Sequence, residues 1–403
     1  MKTRVFHREN IPEAAEILEG GGIVSVPTET VYGLCCNGLD AKAVQEIYAL
    51  KGRPEVKPLS LMVHSPEVID RYCRDVPQAA YGLAKKFLPG PLTIVLRSRE
   101  LVPEIVRAGG ETVGIRCPDH PLTLELLKRL DKPLAGPSAN PSGAKSPKTA
   151  DDVLAYFDGK IAGVLDGGKC GIGVESTIID MSKAPYRLLR RGALDEDKIF
   201  SAIETEMTIL GITGGTGGGK TTALHVIESL GGLVIDCDEV YHDLLLSDSD
   251  MLAELSARFP GVWGGNGVDR KKLGTIVFAD QGALMDLNAI THKYVRRETD
   301  RRLREWAKSG GEIAAIDAIA LIESGLAERC TAVIGIVAPE QERISRLMKR
   351  EGISREYAKS RIAAQKQDEF FEKNCDYILE NSGTLKEFEE KSCNLIKSIA
   401  GRF

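Results

Sequence analysis

The feature that most constrains the fold of this chain is the octet GGTGGGKT at Gly214–Thr221. It directly follows TILGIT at residues 208–213, an apolar run typical of a strand, and it opens a segment with helical character. Glycines let the main chain turn tightly so that its N–H groups point inward, and the following helix adds its positive N-terminal end. The octet therefore predicts a phosphate-binding loop. The alternative is a glycine-rich turn with a solvated lysine.

The residue types in this loop indicate how a nucleoside triphosphate is held. Lys220 would neutralise β- and γ-phosphate oxygens, and the hydroxyl of Thr221 would hold Mg²⁺. The predicted ATP-binding loop comprises Gly214, Gly215, Thr216, Gly217, Gly218, Gly219, Lys220, Thr221 and Thr222.

From residue 208 onward, strand-like and helix-like segments alternate. The strand-like segments are 208–213, 233–236, 312–317, 332–337 and 376–379. This alternation predicts an α/β unit with a parallel sheet covered by helices on both faces.

The second strand-like segment ends in two carboxylates, Asp236 and Asp238. Ligands of open α/β sheets bind outside the carboxyl ends of the strands, so one of these aspartates is a candidate to accept a proton from an attacking hydroxyl. The alternative for either residue is a helix N-cap.

The segment from Arg343 to Arg361 is basic and helical. Its arginines could close over a triphosphate as a lid and exclude water. The alternative is a solvated charged helix face.

Residues 208–403 resemble the dephospho-CoA kinase family. The matching motifs are GITGGTGGGKTT, VIDCDEV, VDRKKLGTIVFAD, LNAITH, LIESG, RLMKREGISREYAKSRIAAQ and DYILENSG. The resemblance implies ATP-dependent phosphorylation of the ribose 3′-hydroxyl of dephospho-CoA. It makes Asp238 the catalytic aspartate and places His292 on the acceptor side. It also makes Arg346 and Arg350 lid arginines and puts Gln365 and Asn381 near adenine.

The first half of the chain has cationic and hydroxyl-rich loops but no such octet. The loops are PTETVYGL at 27–34, KGRP at 51–54, GPSANPSG at 136–143, EST at 175–177 and RRG at 190–192. Guanidinium groups suit phosphate, and hydroxyl and amide groups suit a sugar and a base. The alternative is that they are surface loops chosen for turn chemistry.

Residues 3–205 resemble the threonylcarbamoyl-AMP synthase (YrdC-like) family, an α/β domain with a twisted sheet. The motifs are VPTETVYGL, KGRPEVKPL, FLPGPLTIVL, VGIRCP, GPSANPSG, VESTIID and LLRRG. The resemblance implies that L-threonine, bicarbonate and ATP give threonylcarbamoyl-AMP and pyrophosphate, the first step of a tRNA adenosine modification. It assigns Lys51 and Arg53 to catalysis. The ATP and threonine positions that it implies are Thr28, Lys51, Arg53, His64, Arg116, Ser138, Asn140, Ser176 and Arg190.

The two resemblances predict a fusion with domains at 1–205 and 207–403. An alternative is an RNA-binding first module, with double-stranded RNA binding on a basic surface, fused to a nucleotide kinase of another acceptor. Residues 1–206 carry 27 Lys+Arg against 28 Asp+Glu, which weighs against strong RNA affinity. We therefore expect only weak contact with tRNA or with tRNA-modification proteins.

Composition places this chain among ordinary globular proteins, with 43% hydrophobic and 28% charged residues. Its nine cysteines form no CxxC pair, which indicates reduced thiols rather than a disulfide framework or a zinc site. The N-terminus has no apolar signal core and no run of about 18 apolar residues occurs, so we expect a cytoplasmic protein without a membrane span.

Overall fold

The computed structural model describes residues 2–264 and 267–401. These residues form two compact units. The first runs to Glu206 and includes the short segment 308–310; the second takes in 207–307 and continues from residue 311. This division supports the domains 1–205 and 207–403, which we retain as a proposal.

The first unit is built on a mixed sheet. Its strands are β1 (Arg4–Phe6), β2 (Val24–Val26), β3 (Gly33–Asn37), β4 (Ser60–Met62), β5 (Cys73–Arg74), β6 (Leu92–Ser98), β7 (Thr112–Arg116), β8 (Leu134–Ala135), β9 (Gly163–Leu165), β10 (Thr177–Asp180) and β11 (Arg187–Arg190). They lie in the order β1-β9-β2-β3-β8-β4-β7-β6-β10-β11, and β5 pairs with β6. The neighbours β6 and β7 are antiparallel, so their opposite ends meet.

Seven helices accompany this sheet in the described residues. They are α1 (Ile11–Glu19), α2 (Ala41–Lys51), α3 (Ile69–Tyr72), α4 (Gln78–Phe87), α5 (Pro121–Leu130), α6 (Ala150–Phe157) and α7 (Glu196–Thr205). Helix α2 begins after Asp40, whose side chain accepts hydrogen bonds from the N–H groups of Lys42 and Ala43. It ends at Gly52, where φ is +56°. Helices α1 and α5 bury apolar side chains, such as Leu18 and Leu126, against β2 and β9.

The second unit has a fully parallel central sheet. Its strands are β12 (Thr208–Gly214), β13 (Leu233–Asp236), β14 (Trp263–Gly264), β15 (Gly267–Val268), β16 (Ile313–Asp317), β17 (Ala332–Val337) and β18 (Tyr377–Glu380). Five of them form the order β13-β16-β12-β17-β18, while β14 and β15 pair separately and antiparallel. The loop-bearing strand β12 lies at the centre of the five. All five strand-like segments predicted from the sequence are present.

Nine helices accompany the parallel sheet within the described ranges. They are α8 (Lys220–Ser229), α9 (Cys237–Ser247), α10 (Ser249–Arg258), α11 (Arg270–Ala279), α12 (Gln281–Lys308), α13 (Glu340–Glu351), α14 (Arg355–Ala363), α15 (Asp368–Asn374) and α16 (Leu385–Ala400). Helices α8 and α16 pack on the strands through Ile227 and Phe388 among others. The predicted α/β fold of each unit is confirmed. In the part of the chain that the structure describes, no helix has the length and apolar character of a membrane span.

Candidate active sites

The glycine-rich loop of the second unit turns at the carboxyl end of the central strand. Strand β12 ends at Gly214 and α8 begins at Lys220. Gly214, Gly217 and Gly219 have φ values of +144°, +79° and +115°, which side chains rarely adopt. A Cβ atom at Gly214 would lie 2.3 Å from the carbonyl oxygen of Ile336. The loop is therefore built from main chain, with no room for side chains at this point.

Side chains from the C-terminal helices hold the outer part of this loop. The N–H of Thr216 donates to Oε1 of Gln365 (2.8 Å), and Nε2 of Gln365 donates to the Thr216 hydroxyl (2.6 Å). Nε of Arg343, a residue only 4% exposed, donates to the carbonyl oxygen of Thr216 (3.0 Å). From the sequence, Arg343 is predicted only as part of a basic stretch. Its buried position against the loop depends on how α13 packs.

The predicted lid arginines have different surroundings. Nη1 of Arg346 lies 3.3 Å from the carbonyl oxygens of Gly217 and Gly218, and its Nη2 lies 3.2 Å from Oδ1 of Asn381. Nδ2 of Asn381 in turn donates to Gly218 O (2.8 Å). Arg350 instead pairs with Glu351 at 2.5 Å. The structure thus brings Arg346 and Asn381 to the loop and leaves Arg350 away from it.

Lys220 has a carboxylate partner that the sequence analysis missed. Its Nζ lies 3.3 Å from Oδ1 of Asp317, and both side chains are largely buried. Asp317 ends β16 and is in register with Asp236 of β13, so both carboxylates stand at the same edge of the sheet. Burial raises the pKa of the Asp317 carboxyl, and the nearby Lys220 opposes that shift. The sequence does contain a sign of this residue, because Asp317 is the last residue of the strand-like segment 312–317.

The two aspartates after β13 have separate roles. Oδ1 of Asp236 accepts hydrogen bonds from the N–H groups of Asp238 (2.8 Å) and Glu239 (3.1 Å), so Asp236 is the N-cap of α9. Asp238, in the first turn of the helix, is exposed and lines a cavity. The proton-acceptor candidate in this position is therefore Asp238.

The cavity beside Asp238 is largely apolar with a few polar groups. Its other lining residues are Cys237, Tyr241, Leu287, Asn288, Thr291, His292, Val295, Ala318, Ile319, Ala320, Ser324 and Leu326. Burial lowers the pKa of the His292 imidazole, which favours its neutral form near pH 7. The predicted acceptor residues Asp238 and His292 thus share one cavity, whose lining includes Ala318, the residue after Asp317.

A second cavity lies in the first unit and is lined by guanidinium groups. Arg53, Arg116 and Arg190 line it together with Thr28, Ser138, Ser176 and Glu175. These residues come from separate segments of the sequence, and the mixed sheet brings them together. Of the nine predicted residues of this unit, six line the cavity; Lys51, His64 and Asn140 are not among its lining residues.

Arg116 is held by a carboxylate that the sequence analysis did not select. Its Nη2 lies 2.8 Å from Oε1 of Glu29, and the two side chains are only 11% and 12% exposed. The same nitrogen donates to the hydroxyls of Thr30 (2.6 Å) and Thr28 (3.3 Å). Nε of Arg116 is buried without a hydrogen-bond partner. A buried donor without an acceptor at the wall of a cavity suits a ligand oxygen.

The other two arginines are positioned by main-chain oxygens. Nε of Arg190 donates to Ser176 O (3.0 Å) and its Nη2 to the Ser176 hydroxyl (3.1 Å). Nε and Nη2 of Arg53 donate to the carbonyl oxygens of Lys57 (3.2 Å) and Pro58 (3.0 Å). Each guanidinium keeps further N–H groups available to an anion.

Lys51, which the resemblance assigns to catalysis, contacts the turn at 138–140 and is not among the lining residues of the cavity. Its ammonium donates to the carbonyl oxygens of Ser138 and Asn140, and the residue is only 5% exposed. Burial and, to a smaller extent, the positive charge of Arg53 together lower the pKa of Lys51 from 10.5 to about 8. In this structure Lys51 therefore orients the turn that carries Ser138.

The fold and the two cavities define the class: one α/β unit has a guanidinium-lined cavity, and the other has a glycine-rich loop of the P-loop type and a cavity that contains Asp238 and His292. The family model described as Telomere recombination matches residues 16–192, and the one described as Dephospho-CoA kinase matches residues 208–387.

Curated relatives match each half separately. The threonylcarbamoyl-AMP synthase of Pyrococcus abyssi is 44% identical over 201 residues, which are 49% of this chain and 59% of that protein. The putative threonylcarbamoyl-AMP synthase of Methanocaldococcus jannaschii is 39% identical, over 46% of this chain and 86% of its own length. The dephospho-CoA kinase of Geobacter sulfurreducens is 35% identical, over 46% of this chain and 95% of its own length.

This chain belongs to both families, the threonylcarbamoyl-AMP synthases through its first half and the dephospho-CoA kinases through its second. Both predicted resemblances are confirmed. The chain spans little more than half the length of the Pyrococcus protein.

Proposed function

We propose that this chain is a bifunctional enzyme. Its first unit converts L-threonine, bicarbonate and ATP to threonylcarbamoyl-AMP, pyrophosphate and water. Its second unit transfers the γ-phosphoryl group of ATP to the 3′-hydroxyl of dephospho-CoA. The observation that carries the proposal is that each unit has its own candidate phosphate site: a cavity lined by three arginines in the first unit, and a glycine-rich main-chain loop in the second, which also holds the Asp238 cavity.

In the kinase reaction, the acceptor hydroxyl attacks the γ-phosphorus while Asp238 accepts its proton. The bond to the β–γ bridging oxygen breaks, and ADP leaves. The loop N–H groups and Lys220 stabilise the charge on the phosphate oxygens. Arg343 and Gln365 act as positioning residues because they hold the loop through Thr216 rather than facing the transferred group.

Magnesium fits the oxygen donors at this site. Oδ1 of Asp317 is buried with the Lys220 ammonium 3.3 Å away, and Thr221 follows Lys220 in the first turn of α8. Among the described residues, no group of three or more His, Cys, Asp or Glu could hold a metal by itself. We therefore assign Mg²⁺ to Thr221 and the phosphate oxygens, with Asp317 nearby, where the ion would neutralise phosphate charge.

In the synthase reaction, the threonine amine attacks CO₂ derived from bicarbonate and forms a carbamate. A carbamate oxygen then attacks the α-phosphorus of ATP, and pyrophosphate leaves. Arg53, Arg116 and Arg190 would stabilise the charge that develops on the phosphate oxygens. Thr28 and Ser138 offer hydroxyls to the substrates from the cavity wall. His64 does not line the cavity, but we retain it as a candidate contact for threonine, which it would reach if its loop moved toward the cavity.

We also propose partners and a cellular location for the protein. Threonylcarbamoyl-AMP is an activated donor, so a further enzyme must pass its threonylcarbamoyl group to tRNA. We propose weak contact with tRNA or with such a partner, and a cytoplasmic location.

Mass spectrometry of products tests both activities. With ATP, Mg²⁺ and dephospho-CoA, we expect coenzyme A; with ATP, Mg²⁺, L-threonine and bicarbonate, we expect threonylcarbamoyl-AMP. Hydrolysis of ATP without coenzyme A would keep the nucleotide site and reject the acceptor. An absence of threonylcarbamoyl-AMP from a folded chain would reject the synthase assignment.

A further inference from the structure

One carboxylate in the cavity of the first unit has no part in the reaction proposed above. Glu175 lines this cavity together with the three arginines, and no other lining residue of the described chain carries a carboxylate. A negative side chain at the wall of a cavity that receives a triphosphate repels that ligand, because the two charges have the same sign. The presence of Glu175 therefore calls for a cation at this wall.

The main chain fixes the position of Glu175. Its carbonyl oxygen accepts a hydrogen bond from the N–H of Ala193 (2.9 Å), and a Cβ atom at Gly192 would lie 2.4 Å from the same oxygen. The next carbonyl oxygen, that of Ser176, accepts a hydrogen bond from Nε of Arg190 (3.0 Å). Two successive carbonyl groups are thus tied to the segment 190–193, and the side chain of Glu175 starts from a fixed point on the cavity wall.

The carboxylate of Glu175 is held in its charged form and keeps one oxygen available. The Ser146 hydroxyl donates to its Oε1 (2.6 Å). Chiefly through this hydrogen bond, and also through the positive charges of Arg190 and Lys51, the pKa of the Glu175 carboxyl is lowered. Within the described ranges, Glu175 forms no ion pair and its Oε2 accepts no hydrogen bond.

Glu29, the other carboxylate close to these arginines, has a different environment. Its Oε1 lies 2.8 Å from Nη2 of Arg116, and both side chains are largely buried. Glu29 is not among the lining residues of the cavity, whereas Glu175 is. The charge of Glu29 is used to hold an arginine, while the charge of Glu175 is left for a cation that the substrates bring.

Two cations enter the proposed reaction, the Mg²⁺ ion that accompanies ATP and the ammonium group of threonine. Mg²⁺ is commonly bound by one or two carboxylates together with phosphate oxygens of the substrate. The charge of Arg190, which the proposed mechanism places on phosphate, acts on Glu175, so the carboxylate stands where such oxygens would be. An ammonium group held by this carboxylate would instead keep the proton that it must lose before it attacks CO₂. Mg²⁺ is therefore the better fit.

We propose that Glu175 is a protein ligand of the Mg²⁺ ion that enters the first unit with ATP. The inference rests on the proposed synthase function. The ion would join the carboxylate to phosphate oxygens and so remove the repulsion between them, while the three arginines take up the remaining phosphate charge.

Iron-directed cleavage of the full chain tests this assignment without relying on turnover. Fe²⁺ replaces Mg²⁺ in the presence of ATP, and added ascorbate and hydrogen peroxide then generate hydroxyl radicals that cut the main chain close to the ion. We expect ATP-dependent fragments that end near residue 175, and others that end near the loop at 214–221 as an internal reference. Glu175→Gln should lose the first set and keep the second.

Kinetics of threonylcarbamoyl-AMP formation give a second readout. Glu175→Gln should raise the KM for Mg·ATP by about tenfold, since a lost charged contact weakens binding on this scale, and should leave the KM for L-threonine unchanged. Glu67→Gln is the matched control, because Glu67 is an exposed carboxylate of the same unit that does not line the cavity.

The outcomes separate the alternatives. If the wild-type chain is cut near 214–221 but not near 175, the proposal is wrong, whether or not the variant folds. Unchanged cutting near 175 in a folded Glu175→Gln chain would also overturn it; a raised KM for L-threonine would then show an ammonium contact, and a raised KM for ATP a ribose contact. Cutting near 175 in a wild-type chain that forms no threonylcarbamoyl-AMP would support the metal ligand and reject the synthase function.

Discussion

The candidate phosphate sites of the two units are built in opposite ways. In the second unit, the loop from Gly214 to Gly219 is made of main chain, and a Cβ atom at its first position would collide with Ile336. In the first unit, guanidinium groups of Arg53, Arg116 and Arg190 line the cavity, and the residues around them hold these side chains in place.

This difference decides which changes each unit tolerates. A main-chain site is sensitive to any added side chain but needs few particular side chains. A site made of side chains is also sensitive to the loss of residues that orient those side chains, such as Glu29, which pairs with Arg116.

Asp238→Asn should lower kinase turnover by about a thousandfold, because a positioned general base contributes on this scale. Synthase turnover should stay at the wild-type level. Asp236→Asn is the control, since asparagine caps a helix as well as aspartate does. Initial rates of coenzyme A formation measure both. Equal losses in the two variants would remove Asp238 from its assigned role.

Gly214→Ala should lower kinase activity by about a hundredfold, because relieving the contact with Ile336 displaces the loop. Gly261→Ala, in the same unit, has no atom within 4 Å of the added Cβ and should have little effect. Single-turnover kinetics with ATP give the comparison. Full activity in Gly214→Ala would mean that the loop does not need its observed conformation.

Glu29→Gln should raise the KM for ATP in the synthase reaction by about tenfold, because Arg116 loses its charged partner. Kinase kinetics should not change. Glu67→Gln, an exposed carboxylate in the same unit, serves as the control. If Glu29→Gln binds ATP as tightly as the wild type, Arg116 is oriented by its threonine partners alone.

Lys51 should give the first unit a distinctive dependence of stability on pH. Its pKa is about 8 when folded and 10.5 when unfolded, so between these values the unfolded chain binds more protons. The wild type should therefore gain stability relative to Lys51→Met as pH rises from 8 to 10.5, by at most about 3 kcal/mol.

Denaturant unfolding of the two chains at several pH values measures this difference. Lys42→Met, on the exposed side of the same helix, is the control. A constant difference between wild type and Lys51→Met across the window would show that Lys51 titrates normally.

The same contrast explains what the sequence could predict. The octet at 214–221 is local, so its strand, loop and helix were evident from neighbouring residues. In the first unit, Thr28, Arg116 and Arg190 are distant in sequence and form one cavity only in the folded sheet; the resemblance to a family was needed to select them. The VESTIID motif at 174–180 is only partly a strand, since β10 begins at Thr177. Gly173, just before the motif, has φ +71° and its N–H donates to Thr30 O, and the residues between it and β10 lie in a loop.

Residues that orient others were the least predictable. Glu29, Asp317 and Arg343 act through contacts between segments that the sequence does not pair. Lys51 is the opposite case, a residue that the sequence selects but the structure places differently. The family motif predicts that it contacts ATP, whereas its buried ammonium donates to main-chain oxygens of the turn at 138–140.

The central claim is that the two sites work independently, and a reciprocal product assay tests it most directly. All substrates of both reactions are supplied together, and coenzyme A and threonylcarbamoyl-AMP are quantified by mass spectrometry. Lys220→Ala should abolish coenzyme A and leave threonylcarbamoyl-AMP at the wild-type rate, whereas Lys51→Ala should do the reverse. Loss of both products from a single variant that circular dichroism shows to be folded would contradict the claim.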